Sequence, residues 1–218
     1  TGRLNWQMGG PPTGPAGVFG GISFLGAPLF VDDLLYVISR RDDELSLMAM
    51  DRETGHLRWT VSLGTMAPHL AETVSRRRIA CPVTLTDGRL ICATACGTLV
   101  AVNPTTRVIE WVMRYPVLQH DLPLKQGNGT QTPVPPDAWW DEWRSVTCVP
   151  FDVSEAQSPV PRSKQAVLAS PDSDQLQAFH LGDGTKSWSV PRSGAIHLLG
   201  ISGTQAIVAE MDAIRAHD

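Results

Sequence analysis

An eleven-residue stretch that occurs three times is the feature that most constrains the fold. It reads AMDRETGHLRW from Ala49 to Trp59, AVNPTTRVIEW from Ala101 to Trp111 and AFHLGDGTKSW from Ala178 to Trp188. The alanine and the tryptophan are ten residues apart in every copy. A repeat of roughly 40 to 50 residues with a fixed tryptophan is typical of propellers and solenoids. The sequence therefore predicts consecutive units of similar structure.

Parts of a further copy stand at both ends of the sequence, TGRLNW at residues 1–6 and AHD at residues 216–218. Between the copies lie short runs rich in β-branched and aromatic residues, separated by turn signals, which predict four-stranded meanders. We predict one domain over residues 1–218. It comprises an outer strand of a preceding blade (1–8), three blades (24–63, 79–115 and 145–191), an insertion (116–144) and a partial blade (196–218).

Each position of the stretch has a physical role. Alanine is small enough to let a neighbouring sheet approach, and Asp51 begins a turn by accepting backbone hydrogen bonds. Gly55 and Gly184 supply the positive φ that such a turn commonly requires, whereas Arg107 in the second copy predicts a strained turn. The indole can bury about 150–250 Å² against a blade. The predicted docking residues are Ala49, Asp51, Gly55, Trp59, Ala101, Trp111, Ala178, Gly184 and Trp188. A large aliphatic residue precedes each alanine by two positions, on the same strand face: Leu47, Leu99, Leu176 and Ile214.

The pattern Ala-x-Asp-x-x-Thr-Gly-x-x-x-Trp resembles the tryptophan-docking motif of the quinoprotein-like, or PQQ-like, β-propellers. That family includes the pyrroloquinoline-quinone (PQQ) dehydrogenases and a propeller lipoprotein of outer-membrane assembly. Residues 49–59 match every fixed position, the second copy departs at Asn103 and Arg107, and the third departs at His180 and Asp183. The resemblance implies an all-β propeller of four-stranded antiparallel blades, held together by the motif tryptophans. The chain is then either a four-blade ring closed by its ends or, as we favour, an arc of a larger ring.

Composition excludes several classes of function. With 18 basic and 22 acidic residues and a net charge of −4, nothing indicates a nucleic-acid or anionic-membrane partner. No apolar run approaches the 18 residues of a transmembrane helix. The four cysteines lack the paired spacing of a structural zinc site, and Cys92 is predicted to be a small buried hydrophobe.

No catalytic constellation stands out in the sequence. The quinone-dependent dehydrogenases that the motif resembles carry an adjacent cysteine pair, and the sequence has none. It also lacks a Cys-x-x-Cys-His haem site and a Gly-x-Ser-x-Gly elbow. We predict a non-catalytic protein without a bound cofactor. The alternative is part of an oxidoreductase that depends on PQQ and calcium.

The insertion contains Trp139, Trp140 and Trp143, and a glycosylation sequon at Asn128 that is first of all a turn. Loops of this length inside compact domains are usually functional or disordered. The three indoles either pack over the propeller as a satellite core, which we favour, or form a partner-binding site. The resemblance implies a protein-binding scaffold in the periplasm or cell envelope of a bacterium. The rest of the ring would come from the same chain or another subunit.

Overall fold

A computed structural model describes residues 2–9, 19–66, 79–117, 146–152, 164–195 and 197–217. No helix in these ranges is long and apolar enough to cross a lipid bilayer. The strands, in chain order, are β1 (Ser23–Phe24), β2 (Leu29–Val31), β3 (Leu34–Arg41), β4 (Glu44–Asp51), β5 (Leu57–Thr65), β6 (Val83–Thr86), β7 (Arg89–Ala93), β8 (Thr98–Val102), β9 (Ile109–Arg114), β10 (Thr147–Asp152), β11 (Lys164–Ala169), β12 (Gln175–His180), β13 (Lys186–Pro191), β14 (His197–Ser202), β15 (Gln205–Ala209) and β16 (Ile214–His217).

These strands form four antiparallel sheets that follow the chain in order. In the first sheet β1 and β2 both pair with β3, which continues to β4 and β5. The second sheet contains β6 to β9, the third contains β10 to β13, and the fourth contains β14 to β16. The predicted fold class, an all-β architecture of four-stranded antiparallel blades, is confirmed. The first sheet has a divided inner strand, and the described part of the fourth sheet has three strands.

The repeated stretch has one register in all three complete copies. The motif alanine lies directly opposite the motif tryptophan, in the pairs Ala49–Trp59, Ala101–Trp111 and Ala178–Trp188. In each copy the register shifts immediately after the alanine. A bulge at this point increases the local twist of the ladder. The repeat therefore encodes the shape of each outer hairpin as well as its position.

Side chains alternate between the two faces of each strand, and the apolar ones form a core between successive sheets. In β4, Leu47 and Ala49 face a buried cluster that runs through the first three sheets, whereas Met48 and Met50 face the opposite side. A second cluster joins the third sheet to the fourth. Both faces of the middle sheets are buried, which is how blades stack in a propeller.

The N-terminal segment differs from its predicted structure. Residues 2–9 form no strand, although an outer strand was predicted at 1–8. Instead Trp6 and Met8 pack on the outward face of the first sheet, against the cluster that contains Leu35 and Val37. A strand requires a neighbouring edge, and among the described strands β16 pairs with β15 alone.

Candidate functional site

The innermost strands of the four sheets carry apolar residues at one equivalent position. The hairpin registers, counted from the motif alanine, align four residues, which we call the axial residues: Phe30, Leu85, Pro150 and Ile201. Phe30 is 62% exposed and Leu85 is 40% exposed. Strand β2 lies against β6, and β10 lies against β14, so the inner strands of neighbouring sheets converge. Pro150 is also exposed, whereas Ile201 is half-buried against the cluster between the third and fourth sheets, so the innermost strands carry an apolar row that is exposed at three of its four positions.

Sequence reasoning missed the axial residues. The number of residues between this position and the motif alanine differs in every repeat, because the intervening turns differ in length. Their equivalence therefore becomes visible only through the register. A single exposed apolar side chain is ordinary, but a row of them at equivalent positions is a candidate contact surface.

The motif aspartate closes its own turn. Asp51 accepts hydrogen bonds from the backbone N–H groups of Glu53 (3.1 Å) and Thr54 (2.9 Å), and from the Thr54 hydroxyl (2.9 Å). Its other carboxylate oxygen lies 2.6 Å from the Arg58 guanidinium. The Arg58 and Thr54 hydrogen bonds hold the pKa of Asp51 well below its ordinary value. The carboxylate is used in holding the blade hairpin.

In the other two copies the turn is also closed by a side-chain hydrogen-bond acceptor, but a different residue supplies it. In the second copy, Asn103 accepts from the backbone N–H groups of Thr105 (2.9 Å) and Thr106 (3.0 Å). In the third copy His180 stands in the place of the aspartate. There Asp183 accepts from both the backbone N–H (2.9 Å) and the hydroxyl (2.7 Å) of Thr185. The departures noted at His180 and Asp183 therefore compensate for each other.

Replacing Asp51 by asparagine tests the contribution of its charge. The folded pKa lies below the unfolded value of about 3.9, so this carboxylate stabilises the fold above that pH. The stabilisation is lost as the pH falls through the folded pKa. Asp51→Asn can keep the turn bonds, as Asn103 does, but loses the Arg58 ion pair. We expect a lower urea midpoint at pH 7 and a difference that shrinks below about pH 4. The exposed Glu53→Gln is the matched control, and a pH-independent deficit would contradict the expectation.

Two tryptophans reach from one repeat to the next. The indole N–H of Trp6 donates to the carbonyl of Arg52 (3.1 Å), and its ring lies over Gly55. The indole N–H of Trp111 donates to the carbonyl of Leu181 (3.0 Å). That ring lies so close to Gly184 that an added Cβ would be 2.5 Å from Cε3. The indole above each glycine leaves no room for a Cβ, and the positive φ of 71° and 74° also favours glycine.

The second copy shows what happens without the glycine. Arg107 adopts a φ of 62°, the left-handed conformation of the two motif glycines, at a cost that a residue with a Cβ cannot avoid. Trp59 of the preceding repeat is still buried, at 9% exposure, and its ring lies 5.6 Å from that of Tyr36. Trp188, the last motif tryptophan, is only half-buried.

A buried polar cluster joins the second sheet to the third. Asp172 is 2% exposed and accepts hydrogen bonds from the backbone N–H of Gly97 (3.1 Å), the Tyr115 hydroxyl (3.2 Å) and the Ser170 hydroxyl. Arg192 donates to the Ser170 carbonyl at 2.9 Å. Burial, reinforced by Asp172, raises the pKa of Tyr115, and burial lowers the pKa of Arg192 to about 10. At neutral pH the tyrosine is protonated and the arginine is charged.

None of the four cysteines forms a disulfide bond, and Cys92 is fully buried, as a small hydrophobe would be. Burial raises the pKa of Cys148 to about 12. Within the described ranges, no group of three His, Cys, Asp or Glu residues is arranged to hold a metal ion. Trp139, Trp140, Trp143 and Asn128 lie outside the described residues.

Comparison with known proteins identifies the family. The family model described as outer membrane protein assembly factor BamB matches residues 1–128. The chain belongs to the PQQ-like β-propeller repeat family. The family resemblance predicted from the tryptophan-docking motif is thereby confirmed. The matched range contains the first two copies of the motif, and the third copy, with its departures at His180 and Asp183, lies beyond it.

Three solved structures are similar to the chain. BamB from Moraxella catarrhalis is 18% identical with a TM-score of 0.51, and the match covers 88% of this chain and 47% of that one. This PQQ-like chain thus spans about half the length of that protein. A europium-containing methanol dehydrogenase is 14% identical (TM-score 0.44), with coverage of 78% and 25%. The Pan2 WD40 domain of Neurospora crassa is 10% identical (TM-score 0.49), with coverage of 88% and 46%. No curated protein matches the chain.

Proposed function

We propose that this PQQ-like propeller is a non-catalytic scaffold that binds another protein through its axial residues, in the cell envelope of a bacterium. The observation that carries the proposal is the exposure of Phe30 and Leu85 at equivalent positions on converging inner strands. Aromatic and aliphatic side chains that are already ordered on strands lose little conformational entropy on binding, which favours them as anchors.

The use of the charged side chains supports a scaffold. Arg89 bonds to Glu110 across the second sheet, and Asp87 forms an ion pair with Lys164 of the third sheet at 3.0 Å. Together with Asp51 and Asp172, these groups hold turns and join sheets. Charges engaged in this way stabilise a rigid surface on which binding residues are held in place.

The envelope setting is supported by the family model, which is described as an outer membrane protein assembly factor. The test is fractionation of the native organism with an antibody against this chain. Recovery in the periplasmic or membrane fraction supports a location in the cell envelope. Recovery with cytoplasmic markers would overturn that location and would leave the proposal of protein binding unaffected.

Photo-crosslinking tests the axial surface. A benzoylphenylalanine placed at Phe30 should give one discrete adduct in the native host, and Leu85→Ser should abolish it. The matched control position is Val112, which is 51% exposed on the outer strand β9. For the partner identified from the adduct, we expect Phe30→Ser with Leu85→Ser to weaken binding about tenfold or more, which corresponds to 1.4 kcal/mol. Equal adducts at Phe30 and Val112 would contradict the proposal.

The insertion tryptophans provide a second arm of the same experiment. Replacing Trp139, Trp140 and Trp143 by serine should leave the Phe30 adduct intact if the indoles form a satellite core. Loss of the adduct with an unchanged melting temperature would move the binding site to the insertion. Saturable stabilisation by PQQ with calcium would instead favour the oxidoreductase alternative.

A further inference from the structure

The tryptophan at the junction between the first and second sheets lacks a bond that its two equivalents form. Trp6 and Trp111 each donate the indole N–H to a carbonyl of the motif turn on which the ring rests. The corresponding carbonyl for Trp59 is that of Pro104, in the turn of the second copy. Within the described part of the chain, the Trp59 indole N–H makes no hydrogen bond. The first junction therefore lacks the indole clamp that holds the second and third sheets together.

Arg107 provides the physical reason for the missing bond. At the two glycine turns, an added Cβ would lie 2.6 Å (Gly55) or 2.5 Å (Gly184) from the nearest atom of the ring above it. Arg107 occupies the same position with the same left-handed backbone, at a φ of 62°, and it carries a Cβ. Carbon atoms in contact stay about 3.5–4.0 Å apart, so the Trp59 ring must lie roughly 1 Å further out than its equivalents. At that distance its N–H loses the carbonyl.

The junction between the second and third sheets is fixed by directional bonds at several points. Besides the Trp111 bond, the Asp172 carboxylate of the third sheet accepts from the backbone N–H of Gly97 in the second sheet at 3.1 Å. At the opposite end of the sheets, Asp87 forms its ion pair with Lys164 at 3.0 Å. Hydrogen bonds weaken steeply when their angle changes, so these contacts allow little rotation of one sheet against the other.

The junction between the first and second sheets is of a different kind. Near the inner strands, the backbone N–H of Cys81 donates to the carbonyl of Leu25 at 2.6 Å. Towards the outer strands, the two sheets meet through the apolar cluster that contains Tyr36 and Trp59. Apolar contact is non-directional, and packed elements can slide against each other by small amounts without losing it. This junction is thus tied near the axis and free to adjust at the rim.

Two of the axial residues lie on opposite sides of this adjustable junction. Phe30 is on β2 of the first sheet, Leu85 is on β6 of the second, and β2 lies against β6. A rotation of the first sheet against the second therefore changes the spacing of the two side chains that carry the proposed function.

We propose that the first sheet rotates through small angles against the second because Arg107 replaces the motif glycine, and that a protein bound across Phe30 and Leu85 arrests this rotation. The rotation follows from the described residues alone. Its arrest by a bound protein rests on the proposed function.

Hydrogen exchange measured by nuclear magnetic resonance tests the rotation with a pair of matched amides. The Cys81 N–H crosses the first junction, and the Val146 N–H crosses the second at the equivalent position, donating to the Ala80 carbonyl at 2.9 Å. In the free protein we expect the Cys81 amide to exchange faster than the Val146 amide. Arg107→Gly restores the seat for the indole and should slow exchange at Cys81 about tenfold, in line with the cost of a left-handed residue with a Cβ. Exchange at Val146 should stay unchanged.

Arg107→Ala is the matched control, because it removes the guanidinium and keeps the Cβ. Its exchange rates should equal those of the unsubstituted protein. Equal exchange of the two amides in the free protein, or the same rates in Arg107→Gly and Arg107→Ala, would overturn the rotation.

The partner identified from the Phe30 adduct tests the arrest. Its binding should slow exchange at Cys81 and leave Val146 unchanged, because a ligand that prefers one arrangement of a junction shifts the population towards it. A bound partner that leaves exchange at Cys81 unaltered would overturn the arrest. Absence of any Phe30 adduct would overturn the proposed function, and the comparison of Arg107→Gly with Arg107→Ala in the free protein would still decide the rotation.

Discussion

Replacing Trp111 with alanine is expected to lower the free energy of unfolding by about 3–5 kcal/mol, the usual cost of truncating a buried aromatic residue. Trp111 is 8% exposed, contacts the ring of Phe179 edge-on and bonds to the Leu181 carbonyl. The truncation opens a cavity between the second and third sheets and removes this bond at once. Urea unfolding followed by far-ultraviolet circular dichroism measures the loss.

Two companion variants make the Trp111 result interpretable. Val112→Ala changes a half-exposed neighbour on the same strand and should shift stability by less than about 0.5 kcal/mol. Gly184→Ala leaves the indole in place but inserts a methyl group where the ring lies, at a φ of 74°. It should therefore destabilise the protein as well. A silent Trp111→Ala or a silent Gly184→Ala would show that the indole does not clamp the two sheets.

Replacing Asp172 with alanine is the second large effect, and we expect a loss of about 3–5 kcal/mol, as for the removal of one partner from a buried charged network. The backbone N–H of Gly97 and the Tyr115 hydroxyl would lose their carboxylate acceptor. Arg192, 1% exposed, would lose the attraction of the nearby negative charge. Because Asp172 joins two sheets, the urea transition should also broaden as the stack loses cooperativity.

The control for Asp172 is Asp174→Ala. Asp174 is exposed, and its backbone carbonyl, which accepts from the Arg192 N–H at 2.6 Å, is untouched by the substitution. Its carboxylate attracts Arg192 less than that of Asp172 does, so the control removes only the smaller of the two attractions. Asp172→Asn keeps an acceptor oxygen and should fall between the control and the alanine variant. If Asp172→Ala unfolds with the midpoint and slope of Asp174→Ala, the cluster does not couple the sheets.

Local patterns were sufficient to predict the hairpins. Alternating apolar residues and Asp-Gly turns specify the strands, and the motif glycine and aspartate specify the turn after each alanine. Even the strained conformation at Arg107 follows from its position in the motif. These features depend on residues within about ten positions of each other, where propensity and periodicity carry information.

Contacts between repeats could not be predicted from such local patterns. Gly97 and Asp172 are 75 residues apart, and neither stands in a motif. An aspartate in a Pro-Asp-Ser-Asp run is indistinguishable in sequence from an ordinary turn residue. The axial residues depend on registers that turn lengths alter from repeat to repeat. The N-terminal segment has a strand's sequence, but whether it pairs depends on a distant edge.

The contacts of Trp6 and Trp111 with the following repeat also have a consequence for the order in which the protein folds during synthesis. Each seated indole bonds to a carbonyl further along the chain, 46 residues downstream for Trp6 and 70 for Trp111. Each of these two tryptophans is therefore synthesised before the turn that it contacts in the folded protein. Until the receiving turn has been synthesised, the indoles of Trp6 and Trp111 lack the carbonyl and the glycine that hold them, and they stay accessible to a chaperone that binds nascent chains.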